Sequence, residues 1–325
     1  MSLRFYLQGN QRRIFEEETE MTHYDVAIIG AGPAGMTAAI YAARANLHVL
    51  MLDKLAPGGQ IINTYEIQNY TGMGTIQGAD LAIMMFEHTQ ELGVEFDYCT
   101  VTEIQTEEEL KKLICQEGCV YYAKSVIIAT GTKPRMLGIP GELDFAGSKI
   151  SWCAICDGAH YRDKEVIVIG GGNSAVEEAI FLAGLAKKVT IVTLLNLTAD
   201  PLACDKLRQL PNVEVFEYYD IKNFFNPGGG LGLNAVSTKT GESITVLADG
   251  AFEYIGLQPT TESFKNLGIL NSQGYIETDA SMTTQAKGVF GAGDVICKNL
   301  RQVITACNDG AIAAQSAAKY LETIK

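Results

Sequence analysis

Apolar positions along the chain fall into short unbroken runs, each closed by glycines or small residues. The first is Asp25-Val26-Ala27-Ile28-Ile29, which leads into Gly30-Ala31-Gly32-Pro33-Ala34-Gly35 and an alanine-rich helical stretch over 36–45. Runs of this length without polar alternation, bounded by turn residues, read as strands buried on both faces, the habit of parallel sheets. His48-Val49-Leu50-Met51-Leu52, ending on Asp53, is a second run, and Ser125-Val126-Ile127-Ile128, entering Ala129-Thr130-Gly131, is a third. Glu165-Val166-Ile167-Val168-Ile169 then repeats the opening pattern, with Gly170-Gly171-Gly172-Asn173-Ser174-Ala175, a helix over 176–185 and the strand Val189-Thr190-Ile191-Val192. Strand, glycine turn and helix occurring twice predict an α/β chain with two βαβ units.

Between and after these units the signals are weaker. Residues 81–92 have helical spacing, and Met84 and Met85 read as core, with His88 a satisfied or surface histidine. Glu107-Glu108-Glu109 followed by Lys111-Lys112 reads as an exposed turn or strand edge. Phe225-Asn226-Pro227-Gly228-Gly229-Gly230 predicts a hairpin or loop, 251–256 a strand, and 257–261 a linker. Near the end, Gly288-Val289-Phe290-Gly291-Ala292-Gly293-Asp294 predicts a strand closing on an acid, and Arg301-Gln302-Val303 opens a long helix of small residues reaching Tyr320.

The two glycine turns carry candidate chemistry. In the first, Gly30, Gly32 and Gly35 stand as G-x-G-x-x-G between a strand and a helix, where the glycines permit a tight turn and close approach of a pyrophosphate to the helix N-terminus. Asp53 lies about 20 residues on, where an acid binds ribose hydroxyls. The second turn offers Gly170, Gly172, Asn173 and Ala175 as G-x-G-x-x-A, but the loop after its next strand, Thr193-Leu194-Leu195-Asn196-Leu197-Thr198-Ala199, carries no charge before Asp200. An acid for a free ribose hydroxyl, or arginines for a 2′-phosphate, would be expected there.

Between the two units lies Ser151-Trp152-Cys153-Ala154-Ile155-Cys156-Asp157-Gly158. A C-x-x-C pair can close a small disulfide ring and exchange it, because such thiols ionise easily. The same spacing is half of a zinc site, but no second Cys or His pair at ligand spacing completes it; Cys115 and Cys119 lie in a turn-like stretch. Two inert core cysteines remain the third reading. Asp157 either exchanges protons with the sulfurs or caps the next turn.

Composition narrows the class. The chain has 325 residues, 47 % hydrophobic and 19 % charged, enough for two domains. No apolar run approaches a membrane span, and the stretch 1–20 lacks the apolar core of a secretory signal, reading as a charged extension with Arg12-Arg13 and Glu16-Glu17-Glu18. A cytoplasmic, reducing setting is therefore expected, where C-x-x-C is more often catalytic than structural. A net charge of −13 argues against nucleic-acid binding.

Taken together, Gly30 to Gly35, Gly58-Gly59-Gln60, Ala129-Thr130-Gly131, the Cys153/Cys156 pair with Asp157, Gly170 to Ala175, and Gly291-Ala292-Gly293-Asp294 with Arg301-Gln302-Val303 resemble the low-molecular-weight, bacterial-type thioredoxin reductases. The resemblance runs in one order from Tyr24 to the C-terminus. It implies two Rossmann-like domains, one inserted in the other: an FAD domain over 21–132 and 258–325, and an NAD(P)-type domain over 133–257 carrying the cysteines. It implies a homodimer, a thioredoxin or thioredoxin-like partner, and domain rotation that offers the disulfide in turn to flavin and partner. Cys156 would face the flavin, Cys153 would attack the partner disulfide, and Asp157 would be the acid or base. Gly30, Gly32, Gly35, Asp53, Gly59, Gln60, Asn69, Thr130, Gly131, Asp294, Val295, Arg301, Gln302 and Val303 would hold FAD. NADPH-dependent members carry His-Arg-Arg and a further Arg where this chain has Thr193-Leu194-Leu195 and Ala199, so weak NADPH use is expected and a pyridine-nucleotide-independent member, taking electrons from a ferredoxin-like donor, is the companion reading. Ala159-His160 also departs from the aromatic pair common there. A flavin-dependent dithiol oxidase, making disulfides with O2, is the alternative that the same residues permit.

Overall fold

The computed structural model describes residues 23–64, 67–107 and 109–324. The expected charged extension over 1–20 lies outside the described residues. From its first strand the chain builds β1 (His23–Ile29), α1 (Pro33–Arg44), β2 (Val49–Asp53), α2 (Gly78–Glu91) and β3 (Glu95–Tyr98), then β4 (Val101–Glu107), β5 (Leu110–Cys115) and β6 (Val120–Ile128). It crosses through β7 (Thr132–Pro134) and α3 (Glu142–Phe145) into β8 (Ile150–Ser151), α4 (Ala154–Asp157), β9 (Glu165–Ile169), α5 (Asn173–Ala183), β10 (Lys188–Thr193), α6 (Pro201–Arg208) and β11 (Val213–Glu217). The antiparallel strands β12 (Tyr219–Phe225), β13 (Leu231–Ser237) and β14 (Ser243–Ala248) follow, then β15 (Gly250–Glu253), β16 (Leu257–Pro259), β17 (Val289–Gly291) and α7 (Val303–Thr323).

Two sheets result. In the first, β3, β2, β1 and β6 run parallel, β17 pairs with β6, and β6 continues into the antiparallel β5 and β4. β6 serves both parts because it is long: its start pairs with β5 and its apolar end, from Val126 to Ile128, lies between β1 and β17. The second sheet is all parallel, ordered β11, β10, β9, β15, β8. The unalternated runs are buried on both faces, as Val26, Ala27, Ile28 and Val166, Ile167, Val168 show.

Helix α1 and the small-residue helix α7 pack directly against each other. At Gly310 in α7 a Cβ would fall 2.1 Å from the Ala34 carbonyl oxygen, so this crossing requires glycine. Such close approach is what alanine- and glycine-rich faces allow. Both crossings between the sheets meet in a two-stranded antiparallel ribbon, with Thr132 opposite Pro259 and Pro134 opposite Leu257.

Two sequence expectations change. Met84 is exposed rather than core, whereas Met85 packs against the core. Lys111, read as part of an exposed turn or edge, is buried at 1 % exposure. In β5 the odd positions point inward, and Lys111 there reaches the Lys124 carbonyl and the Tyr320 hydroxyl of α7, each at 3.3 Å; burial pushes its pKa down. Cys99 and Cys115, a pair no spacing along the chain pointed to, are joined in a disulfide. No helix among the described residues is long and apolar enough to cross a membrane.

Candidate active site

Cys153 and Cys156 are disulfide-bonded at the head of α4. Cys153 caps this helix: its Sγ accepts the Cys156 N–H at 3.2 Å. The turn is fixed from both sides. Ser151 Oγ accepts the Cys153 N–H at 3.1 Å and donates to Asp157 Oδ2 at 2.5 Å, while Tyr254, just past β15, accepts the Ala154 N–H through its hydroxyl at 2.6 Å. Trp152 donates from Nε1 to Glu253 Oε2 at 3.0 Å.

Burial is the main influence on the Asp157 carboxyl and raises its pKa, opposed by the Ser151 bond and the charge of His160. A carboxyl shifted toward its protonated form can deliver a proton to a thiolate, and Asp157 makes no side-chain cap bond to the turn that follows. Glu253 is more strongly affected: burial, then the neighbouring Glu142, push its pKa up to about 8. Glu142 is already engaged, accepting the Leu137 and Gly138 N–H groups, each at 2.7 Å. A protonated Glu253 can donate to it, whereas two charged carboxylates there would repel.

The cysteines open onto a cleft of 2320 Å³ that also reaches both glycine turns. At its first end Gly30 has φ +108°, and a Cβ there would lie 2.4 Å from the Ala129 carbonyl oxygen. At Gly32, by contrast, a Cβ would meet only Gly59, at 4.0 Å, so the missing side chain leaves room for a ligand. Gly35 is buried in the first turn of α1. Asp53 accepts the Ala31 N–H at 2.7 Å and the Leu55 N–H at 3.0 Å, which fixes its carboxylate beside the turn.

The other expected FAD residues gather on the same side. Gln60 donates to the Thr132 carbonyl at 2.9 Å, Thr130 donates to the Thr260 carbonyl at 2.7 Å, and the Gly131 carbonyl accepts the Thr260 N–H at 3.0 Å. Asn69 donates to Gln302 Oε1 at 3.0 Å, although 233 positions separate them. Gln302 caps α7 in a capping box with Thr305, Val303 is the first helical residue, and Arg301 lies over the Tyr275 ring at 4.7 Å. Val295 is fully buried and its carbonyl accepts the Ile276 N–H. Asp294 Oδ1 is buried with no hydrogen-bond partner among the described residues, and burial raises the Asp294 pKa. A buried carboxylate oxygen with no hydrogen bond, 4.0 Å from Lys298 Nζ and beside an open glycine cradle, fits a dinucleotide with free hydroxyls such as FAD.

The second glycine turn is partly closed by its own loop. Thr198 N–H donates to the Gly171 carbonyl at 2.7 Å, and Asp200 N–H donates to Asn173 Oδ1 at 2.8 Å. Gly172 is open, with nothing within 4 Å of a Cβ, and Ala175 is buried. Leu194 and Leu195 point outward, 54 % and 59 % exposed. Behind the loop stands an acid, Glu217, which accepts the Leu197 N–H at 3.0 Å and Arg208 Nη2 at 2.6 Å. That arginine is neutralised in place, so a 2′-phosphate would meet exposed leucines and no free cation on this loop.

Sequence reasoning missed Ser151, Tyr254, Glu253 and Glu217. Ser151 adjoins the cysteine pair and could have been suspected; the others come from remote strand ends and left no local signal.

An exchangeable disulfide set between two nucleotide-type turns defines a dinucleotide-dependent disulfide oxidoreductase. Residues 24–310 match the family described as pyridine nucleotide-disulphide oxidoreductase. The thioredoxin reductase of Bacillus subtilis is 43 % identical over 304 residues, covering 93 % of this chain and 96 % of that one. A Clostridium pasteurianum protein described as a 34.2 kDa protein in rubredoxin operon is 44 % identical, covering 93 % and 98 %. The crystal structure of Streptococcus pyogenes thioredoxin reductase superposes with a TM-score of 0.86 at 43 % identity, covering 93 % of this chain and 99 % of that one. The chain belongs to the pyridine nucleotide-disulphide oxidoreductase family and, within it, to the low-molecular-weight thioredoxin reductase type.

Proposed function

We propose that this enzyme, an FAD-dependent disulfide oxidoreductase, passes electrons from bound FAD to the Cys153–Cys156 disulfide and from the dithiol to thioredoxin or a thioredoxin-like protein. The observation that carries this reading is the Cys153–Cys156 disulfide opening onto the same cleft as the Gly30–Gly35 cradle. When bound, FAD supplies a carrier that can deliver an electron pair to a disulfide. Gly30, Gly32, Gly35, Asp53, Gly59, Gln60, Asn69, Thr130, Gly131, Asp294, Val295, Arg301, Gln302 and Val303 form its side of the cleft or support it.

The protein's own residues balance the reaction. Two electrons break the Cys153–Cys156 bond and leave two thiolates, of which Asp157 protonates one. Cys156 faces the flavin side. Cys153 attacks a sulfur of the partner disulfide, and Cys156 then attacks the mixed disulfide, releasing the partner dithiol and restoring the starting bond. Both faces of the pair must be reached in turn, so the divided FAD domain, 21–132 with 258–325, rotates against 133–257 about the ribbon of β7 and β16. The enzyme acts as a homodimer.

The donor is a one-electron iron–sulfur protein of the ferredoxin class, with NADPH used weakly. The uncharged loop over 193–199, the engaged Asn173 and the paired Arg208 support this. Anaerobic stopped-flow mixing with NADPH, NADH or reduced ferredoxin tests it. Flavin bleaching by ferredoxin alone is the expected result; fast bleaching by micromolar NADPH would reject the donor assignment and leave the disulfide chemistry standing.

A further inference from the structure

Among the described residues, one group of three metal-capable side chains converges, and it lies away from the cleft: Cys99, Cys115 and Glu117, whose ligand atoms all fall within 4.8 Å of one another. Cys99 follows β3 and its N–H donates to the Asp53 carbonyl at 2.9 Å. Cys115 ends β5, and both sulfur-bearing residues are buried, while Glu117 sits at the exposed tip of the β5–β6 turn. The tip is held onto Thr100: the Thr100 N–H donates to Glu117 Oε2 at 3.0 Å, and the Gln116 N–H to the Thr100 carbonyl at 2.9 Å. One carboxylate oxygen is thus used to aim the group and the other is left over.

We propose that Cys99, Cys115 and Glu117 form a redox-gated site for a zinc-class divalent cation, closed when the two sulfurs are bonded and opened when they are reduced. The chemistry balances with a dithiol as reductant. Its two thiols become a disulfide, giving two electrons and two protons to the Cys99–Cys115 bond, and the metal then displaces both protons as it takes two thiolates. Zinc binds thiolates at about 2.3 Å and carboxylate oxygen at about 2.0–2.2 Å, so the sulfurs must part by one to two ångströms. The Cα atoms are 6.1 Å apart, and rotation about the two side chains is the movement the site requires. Two thiolates and an ionised carboxylate fit zinc rather than magnesium or calcium, which take oxygen alone. The exposed Cys119 lies across the same hairpin, its carbonyl accepting the Cys115 N–H at 3.0 Å.

The test uses the flavin-loaded full chain with Cys153→Ser and Cys156→Ser, which removes the other dithiol. Half is kept oxidised and half reduced with dithiothreitol, both are desalted anaerobically, and zinc ion is added, followed by gel filtration and metal analysis. Reduced protein should retain about one zinc per chain and oxidised protein well under that. Cys99→Ser should abolish the difference, and Glu117→Gln, an exposed change that leaves folding intact, should weaken binding about tenfold or more. Equal zinc in both redox states, no zinc in the reduced protein, or undiminished affinity in Glu117→Gln would each overturn the proposal.

Discussion

Ser151 Oγ lies 2.5 Å from Asp157 Oδ2 and at the same time accepts the Cys153 N–H at 3.1 Å. One hydroxyl therefore orients both the sulfur-bearing turn and the carboxyl that serves it. Its bond opposes burial, holding the Asp157 pKa lower than burial alone would set it.

Asp157→Asn should cut thioredoxin reduction by about 10²–10⁴-fold, the usual contribution of a positioned acid or base. Flavin absorbance should be retained. In Ser151→Ala the lowering bond is lost, so the pH–rate limb belonging to Asp157 should move to higher pH. A limb that stays in place would assign it to another group.

The Glu253 carboxyl makes stability fall with pH. Its pKa is near 4.5 when unfolded and about 8 when folded. Between those values the folded chain binds more protons, so the stabilising contribution is complete below about pH 4.5 and is lost as pH rises to 8. Glu253→Gln mimics the protonated form and keeps an acceptor for Trp152. Its melting temperature should therefore decline less than the parent's between pH 5 and 8, as calorimetry would record.

Leu194→Arg with Leu195→Arg should improve NADPH use. Both side chains already point to solvent, so neither arginine needs burying. Charge-assisted bonds to a 2′-phosphate contribute about 1.5–3 kcal/mol each, and two should raise kcat/KM for flavin bleaching by about 10²-fold or more. NADH should gain much less, and equal gains would point to a nonspecific effect.

Gly30→Ala should yield protein with little flavin. The added Cβ meets the Ala129 carbonyl oxygen at 2.4 Å and the φ of +108° is unfavourable besides. The ratio of flavin to protein absorbance measures the loss, and full flavin content would contradict the role given to this turn.

Much of the site was legible because its signals are local. Gly30 to Gly35 and Gly170 to Ala175 are turns whose backbone admits few residues, and a C-x-x-C pair encodes its own ring. The unalternated runs at 25–29 and 165–169 likewise carry their double burial in their composition. The exposed turn expected at Lys111 failed for a nonlocal reason: the strand alternation of β5 and the cover of Tyr320 decide which way that side chain faces.

The two nucleotide-type units, the C-x-x-C spacing and the missing cations at 193–199 could be read along the chain, because each depends on residue types a few positions apart. That Asn69 meets Gln302, that Tyr254 and Glu253 support the turn of Cys153, and that Cys99 is bonded to Cys115 emerges only once the chain is folded. Those contacts arise where separate strands end side by side, and hydrogen bonds and disulfides need directions and distances that no spacing along the chain encodes.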